Sequence, residues 1–361
     1  MKVLIIQPVN RKNGVTGGTY GSKRIVDIVK NIYGNENVDV YELPYYPSKI
    51  KAFFYNFFLY SDGLTKNTIK DLKLSVDSYD ILFLNTTKLG KIAKFFYSNK
   101  IIFSFAHNNE SDFVKQYLRS MSFVKKIIHL PLLFSVIYNE KESVKYSNCL
   151  FCLNERDSQT FYEKYSRKAD FLIPMTFYDK FDSLKRDKYN KTKNKFLLFV
   201  GSDFYGNTEG LFWFIENILD FINIKLLVIG SGMDKYSQKY IDKNVEFIGF
   251  VEDIDKYYYS CEAIVLPIVS GSGMKTKTCE CLMYGKYIFG TTEAFEGYNL
   301  NFEKVGALCN TSEEFINTLK IIFNNNFDKN NTYSRDVFLK NYETKTILAK
   351  LKNFLLSKEY I

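Results

Sequence analysis

The sequence predicts an α/β protein of two doubly wound domains, and three observations carry that prediction. Short apolar runs alternate with amphipathic helical patterns, as in a parallel sheet covered by helices on both faces. The alternation breaks once, over "YDKFDSLKRDKYNKTKNK" from Tyr178 to Lys195, a polar and charged stretch without an apolar period, and then restarts. The length of 361 residues exceeds one ordinary core and fits about two. The expected organisation is a first Rossmann-like domain over 1–177, a linker over 178–195, a second Rossmann-like domain over 196–330, and C-terminal helices over 331–361 that return toward the first domain.

In chain order, the expected strands of the first half are "KVLII", "VDVYEL", "DILFLN", "KIIFSF", "CLFCL" and "ADFLIP". Those of the second half are "KFLLFVG", "IKLLVIG", "VEFIGF", "AIVLP" and "KYIFG". After Thr311 the pattern turns helical, and the last helix, "ETKTILAKLKNFLLSK", is long enough to cross a neighbouring domain. Sheets of this kind bind ligands beyond the carboxyl ends of their strands, so function is read from the strand-to-helix loops.

Composition narrows the function classes. No uninterrupted apolar run reaches the ~18 residues of a spanning helix. The opening "MKVLIIQPVNRKNG" fits a first buried strand better than a signal peptide, and the expected location is the cytoplasm. Residues 1–180 hold 26 Lys+Arg against 17 Asp+Glu, and residues 181–361 hold 23 against 23, so the whole excess of +9 lies in the first half. Such an excess fits nucleic acid, an anionic membrane surface or phosphorylated ligands. The basic residues are dispersed and no recognition motif accompanies them, which puts nucleic acid last. Six cysteines are too sparse for a disulfide scaffold. Cys149 and Cys152 lie three apart on a strand and Cys279 and Cys281 two apart on a helix, so neither pair converges on one metal ion. No metal is expected.

The stretch "GSGMKTKTCECLMYGKYIFGTT", Gly271 to Thr292, follows a strand and opens a helix. Its glycines let the backbone approach a ligand, and the amides of Gly273, Met274, Lys275, Thr276 and Lys277 lie at a helix N-terminus, where a phosphate is favoured. Glu280 sits one turn further in. A carboxylate is a poor neighbour for phosphate and a good bidentate acceptor for a ribose diol. The alternative, an ordinary turn before a solvated acid, stands equal on the loop alone.

The run from "FVGSDFYGNTEGLFWFIENIL" through "LLVIGSGM", "VEFIGFVEDIDKYYYSCEAIVLP" and "GSGMKTKTCECLMYGKYIFGTTEAFEGY" resembles, in order and spacing, the C-terminal half of retaining GT-B glycosyltransferases of the group 1 type, in a subgroup like those of bacterial polysaccharide biosynthesis. The likeness covers about residues 196–297 and weakens before them. It implies a GT-B fold, two Rossmann-like domains facing each other across a cleft. By resemblance Glu280 holds the ribose, the backbone from Gly273 to Lys277 cradles the diphosphate, and "GFVED" lines the base pocket with Val251, Glu252 and Asp253. Two departures stand out. The acid that touches the transferred sugar in the family falls on Ser272, and the Arg and Lys that follow the "FVG" strand fall at about Ser202 and Asn207. Another cation must then meet the leaving diphosphate, and Lys275 and Lys277 are the nearest.

In the first half, Gly17 and Gly18 resemble the glycine pair that approaches the donor phosphates, with Arg11, Lys12 and Lys23 as nearby charge. His107 in "SFAHNNESDF" matches a family histidine that contacts the transferred sugar, with Glu110 behind it. His129 reads as a partly buried helix residue. Asp253 and Asp255 mimic a metal-binding DxD, but helix capping explains them more simply. Finally, "YYPSKIKAFFYNFFLY" and "MSFVKKIIHLPLLFSVIY" have the composition of interfacial helices and equally of core helices, which leaves peripheral membrane docking open.

The resemblance implies an enzyme that moves a sugar from a nucleotide diphosphate sugar, its co-substrate, to a glycan or lipid-linked acceptor without metal or other cofactor. The rival expectation is a non-catalytic GT-B subunit that binds a partner glycosyltransferase or its substrate, favoured by Ser272, Ser202 and Asn207. A nucleotide-sugar epimerase of the same fold would need further acids that the sequence does not offer.

Overall fold

The computed structural model describes residues 1–9, 17–119, 121–190, 195–271, 273–324 and 327–361. They form two compact units, one of residues 1–174 and 348–361, the other of residues 175–347. The sheet of the first unit runs β1 (Val3–Pro8), β2 (Val38–Leu43), β3 (Ile81–Leu84), β4 (Ile101–Ala106), β5 (Cys149–Cys152) and β6 (Phe171–Leu172) in chain order and β2-β1-β3-β4-β5-β6 in space. That of the second comprises β7 (Phe196–Val200), β8 (Lys225–Ile229), β9 (Val245–Ile248), β10 (Ala263–Leu266), β11 (Ile288–Gly290) and β12 (Gly306–Leu308), ordered β12-β11-β10-β7-β8-β9. Every pairing is parallel.

The central strands β3, β5 and β10 are buried throughout, as their unbroken apolar sequences require once helices cover both faces. The edge strand β2, "VDVYEL", buries only its two ends. All strands but β12 fall on runs expected from the sequence. That strand is three residues long, begins at Gly306 with φ 149°, and carries no apolar run to announce it.

The unit boundaries differ from the expected ones. The 178–195 stretch is a packed part of the second unit where described: helix Ser183–Tyr189 is capped by Asp182, Lys185 pairs with Asp255 at 2.7 Å, and the Phe181 ring meets Tyr259 edge-on at 5.8 Å. Helix Thr332–Asn341 also stays with the second unit, where Arg335 pairs with Asp179 and donates to the Met283 carbonyl at 2.7 Å. Only the chain from Leu348 onward joins the first unit. There Leu351 and Leu355 of the last helix, Thr344–Ser357, are buried beside Ile25, Phe83 and Phe103.

The six cysteines are all buried thiols outside any disulfide, and burial pushes the Cys149 thiol up to about 12. Among the described residues no cluster of His, Cys, Asp and Glu is placed to hold a metal ion, and no helix is long and apolar enough to cross a membrane.

Candidate functional site

In the second unit the chain winds outward in both directions from the neighbours β7 and β10, so the loops that follow them part at their carboxyl ends. This is the switch point at which doubly wound sheets bind ligands. Helix Tyr205–Asn217 follows β7 and lies so close to the loop after β10 that Gly210 has no room for a Cβ against the Pro267 carbonyl. In that loop Gly271 and Gly273 adopt φ of 151° and 64°, which side-chain-bearing residues rarely take. Helix Thr276–Met283 then begins at Lys275 with no side-chain cap, leaving its first amides open at the switch point.

Lys277 reaches across this point. Its Nζ donates to Asn207 Oδ1 at 2.7 Å, and Asn207 Nδ2 donates to the Ser202 carbonyl at 2.8 Å. A Cβ at Gly201 would lie 3.0 Å from Lys277 Cε, so the glycine leaves the lysine its path. The cation missing from the neighbourhood of Ser202 and Asn207 in the sequence is thus delivered there from a residue 70 positions away. Burial pushes the Lys277 ammonium down to about 8, against the pull of Glu280. Lys275 turns elsewhere, to Glu293 Oε1 at 2.6 Å and the Gly273 carbonyl at 2.9 Å. Of the two loop lysines, Lys277 is the one that reaches toward β7, while Lys275 folds back on its own loop.

Glu280 is half-buried one turn along the same helix. Its Oε2 accepts from the Tyr258 hydroxyl at 2.9 Å, while among the described residues no donor reaches Oε1. Burial raises its pKa, with Tyr258 and Lys277 acting in the opposite direction. Tyr258 is itself fully buried, stacked on Tyr284 with ring centroids 4.3 Å apart. Burial pushes its hydroxyl well up, so it remains a donor. The carboxylate is held from behind with one oxygen free.

The other expected donor residues vary in exposure. Met274 is buried and its sulfur accepts from the Met175 amide at 3.5 Å, so only its backbone serves the loop. Thr276 is the first helical residue and half-buried, Ser202 is exposed, and Ser272 lies outside the described residues. After β9, Val251 is half-buried and Glu252 and Asp253 are exposed, next to Phe250 at 77 % exposure. Asp253 Oδ1 accepts from the Asp255 amide at 3.0 Å, and the Asp255 carboxylate receives Lys185 and the Tyr284 hydroxyl. This pair is committed to a helix start and a tether.

In the first unit the switch point lies between β1 and β3. Gln7 of β1 accepts from Asn85 Nδ2 at 2.8 Å, and Asn85 Oδ1 lies 2.9 Å from His107 Nε2 just past β4. Burial, followed by Arg24 and Lys88, pushes His107 down to about 3, so the ring is neutral. An Asn carbonyl oxygen accepts, which places the His107 proton on Nε2 and leaves Nδ1 an acceptor. Glu110 is buried, its pKa raised by that burial, and its Oε2 lies 3.6 Å from Lys88, which also pairs with Asp62 at 2.8 Å. Gly17 and Gly18 open helix Gly17–Tyr33, on which Lys23 is exposed. Arg11 and Lys12 lie outside the described residues. His129 is a half-buried helix residue whose Nδ1 meets the Lys125 carbonyl at 2.8 Å.

Sequence reasoning missed the partners that orient this site. Asn207, Tyr258, Glu293 and Asn85 lie far in sequence from the residues they hold, and no spacing rule connects them.

Two doubly wound parallel sheets with these open loop ends define a protein of the GT-B class, and solved structures agree. Sucrose-phosphate synthase from Thermosynechococcus elongatus aligns with TM-score 0.72 and 12% identity over 99% of both chains. HepE from Anabaena, solved with UDP, aligns with TM-score 0.68 and 14% identity over 99% of this chain and 100% of its own. WaaG, a glycosyltransferase involved in lipopolysaccharide biosynthesis, aligns with TM-score 0.65 and 12% identity over 97% and 98%. Residues 194–325, within the second unit, match the model of the family described as glycosyl transferases group 1. No curated protein sequence matches the chain significantly.

Proposed function

We propose that the protein transfers a sugar from a nucleotide diphosphate sugar to a glycan or lipid-linked acceptor, with retention at the anomeric carbon, in the synthesis of cell-surface polysaccharide or glycoconjugate on the cytoplasmic side of the membrane. The observation that carries this reading is the Lys277 ammonium on Asn207, beside an uncapped helix N-terminus and one turn from a half-open Glu280. The amides and the ammonium meet the diphosphate, where negative charge grows as it leaves. Glu280 Oε1 accepts from the ribose hydroxyls. His107 Nδ1 accepts from a hydroxyl of the transferred sugar. Complexes of HepE with UDP and with UDP-glucose support a donor of this class. The binding-only alternative rested on Ser272 and on missing charge at Ser202 and Asn207, and Lys277 weakens the second of these grounds.

Nucleoside diphosphates and their sugar conjugates should raise the melting temperature. Ligand at a hundred times its Kd adds about 2.7 kcal/mol. A panel varying base and sugar names the donor, and a flat response across it removes the proposal. Since Asp253 and Asp255 are already bonded within the protein, turnover should survive exhaustive chelation. Loss with chelator and recovery with manganese would reverse that expectation.

A further inference from the structure

We propose that helix Lys49–Phe57 and the first half of helix Phe123–Lys145 form a docking face for an anionic lipid bilayer. This goes beyond the donor reading of the second unit and does not depend on it.

In helix Lys49–Phe57 the large apolar residues Ile50, Phe53, Phe54 and Phe57 recur with the spacing of one helical face, the face that normally enters a core. Here it points outward. Ile50 is 71 % exposed, Phe54 56 % and Phe57 63 %, while the helix's one buried residue is the polar Asn56. The neighbouring helix is inverted in the same sense. Its buried residues begin at Ser135 and include Asn139, Glu140, Glu142 and Ser143, whereas its first half is apolar and exposed, with Phe123 at 77 % and Val124 at 66 %. An apolar groove of about 410 Å³ opens between the two helices, walled by Phe57, Ile127 and Phe134. At its edge Asn56 Oδ1 is buried with no hydrogen-bond partner among the described residues.

Charge selects the occupant. From Pro44 to Ser61 and from Phe113 to Tyr138 there is no Asp or Glu, while Lys49, Lys51, Lys125 and Lys126 flank the apolar residues. Rings that enter the acyl boundary beneath cations that meet phosphate headgroups are the requirements of an interfacial helix, and a bilayer of anionic lipid supplies both. A second copy of this face would oppose lysines to lysines across a two-fold axis, which disfavours self-association.

The test is sedimentation of the full chain with vesicles of phosphatidylcholine alone and with about one third phosphatidylglycerol, at low and high salt. Binding to the anionic vesicles should exceed that to neutral ones by about ten-fold or more and fall with salt. The triple variant Phe54→Ser/Phe57→Ser/Phe123→Ser should lose about ten-fold or more in vesicle binding. Lys125→Gln/Lys126→Gln should lose most of the preference for anionic lipid. Phe54, Phe57, Phe123 and Lys125 are exposed and Lys126 is half-buried, so melting temperature and affinity for the nucleotide that the thermal panel selects should stay at parental values, which separates failure of docking from failure of the donor site. Absence of vesicle binding, equal binding to both vesicle types, or a dimer that the Phe substitutions dissolve would each overturn the proposal.

Discussion

Lys277→Met lowers turnover by about a hundred-fold or more while nucleotide-sugar binding weakens far less, because the charge it removes is needed most as the diphosphate departs. Methionine keeps the stem that passes Gly201 and deletes only the ammonium. Lys275→Met, by contrast, stays within a few-fold of the parent, since Lys275 is spent on Glu293. Steady-state rates of the two variants decide between them. If neither lysine matters, Arg11, Lys12 and Lys23 are the next to test, and if none of these matters either, the non-catalytic reading gains.

The pH dependence follows from the same residue. Burial lowers Lys277 to about 8 from 10.5, so the free enzyme carries the required charge below that pH and loses it above. The rate at low substrate should therefore fall as pH rises through about 8. A bound diphosphate favours the ammonium, so the fall in saturated turnover lies at higher pH. The sign for stability is opposite. Between about 8 and 10.5 the unfolded chain binds the proton that the folded chain has released, so this residue's contribution to stability increases with pH across that window. Lys277→Met should accordingly raise the melting temperature of the ligand-free protein at neutral pH while reducing activity.

Glu280→Ala should weaken nucleotide binding by about 2 to 4 kcal/mol, the worth of a pair of charge-assisted hydrogen bonds, with little effect on folding. Calorimetric titration with the nucleotide selected by the thermal panel gives the number directly. Tyr258→Phe removes only the support behind the carboxylate and should cost less, about 1 kcal/mol. Unchanged affinity in a folded Glu280→Ala protein would remove the ribose assignment.

The sheets were legible in the sequence because both faces of a parallel sheet are covered, so each strand announces itself as an apolar run. β12 escaped because a three-residue edge strand such as "GAL" has no run to show. The 178–195 stretch read as a linker because its contacts are made by single residues, Phe181, Asp182 and Lys185, without a period. In the site, the glycines, Lys277 and Glu280 were visible because they sit together in one loop and the helix it opens. Their partners were not, for Asn207 and Tyr258 meet them only through the order of the strands, which brings β7 beside β10. The direction of the two Phe-rich helices could not be read either, since an apolar face has the same spacing whether it meets a core or a lipid.

The first unit is interrupted: its last fourteen residues, 348–361, are made only after the entire second unit. On a growing chain, the surface that Leu351 and Leu355 cover stays bare until those residues have been made. Closing so long an excursion by random search would be slow and entropically costly. Folding of the second unit ahead of that closure would remove much of the cost. Phe177 and Glu343 form a parallel bridge, with the Phe177 amide donating to Tyr342 at 3.2 Å and the Thr344 amide to Phe177 at 2.9 Å, so the points where the chain enters and leaves that unit are tied together. To the first unit, the completed second unit is a short closed insertion, as tolerated domain insertions are. A chain truncated before Leu348 should then retain a cooperative second unit and present an aggregation-prone first one.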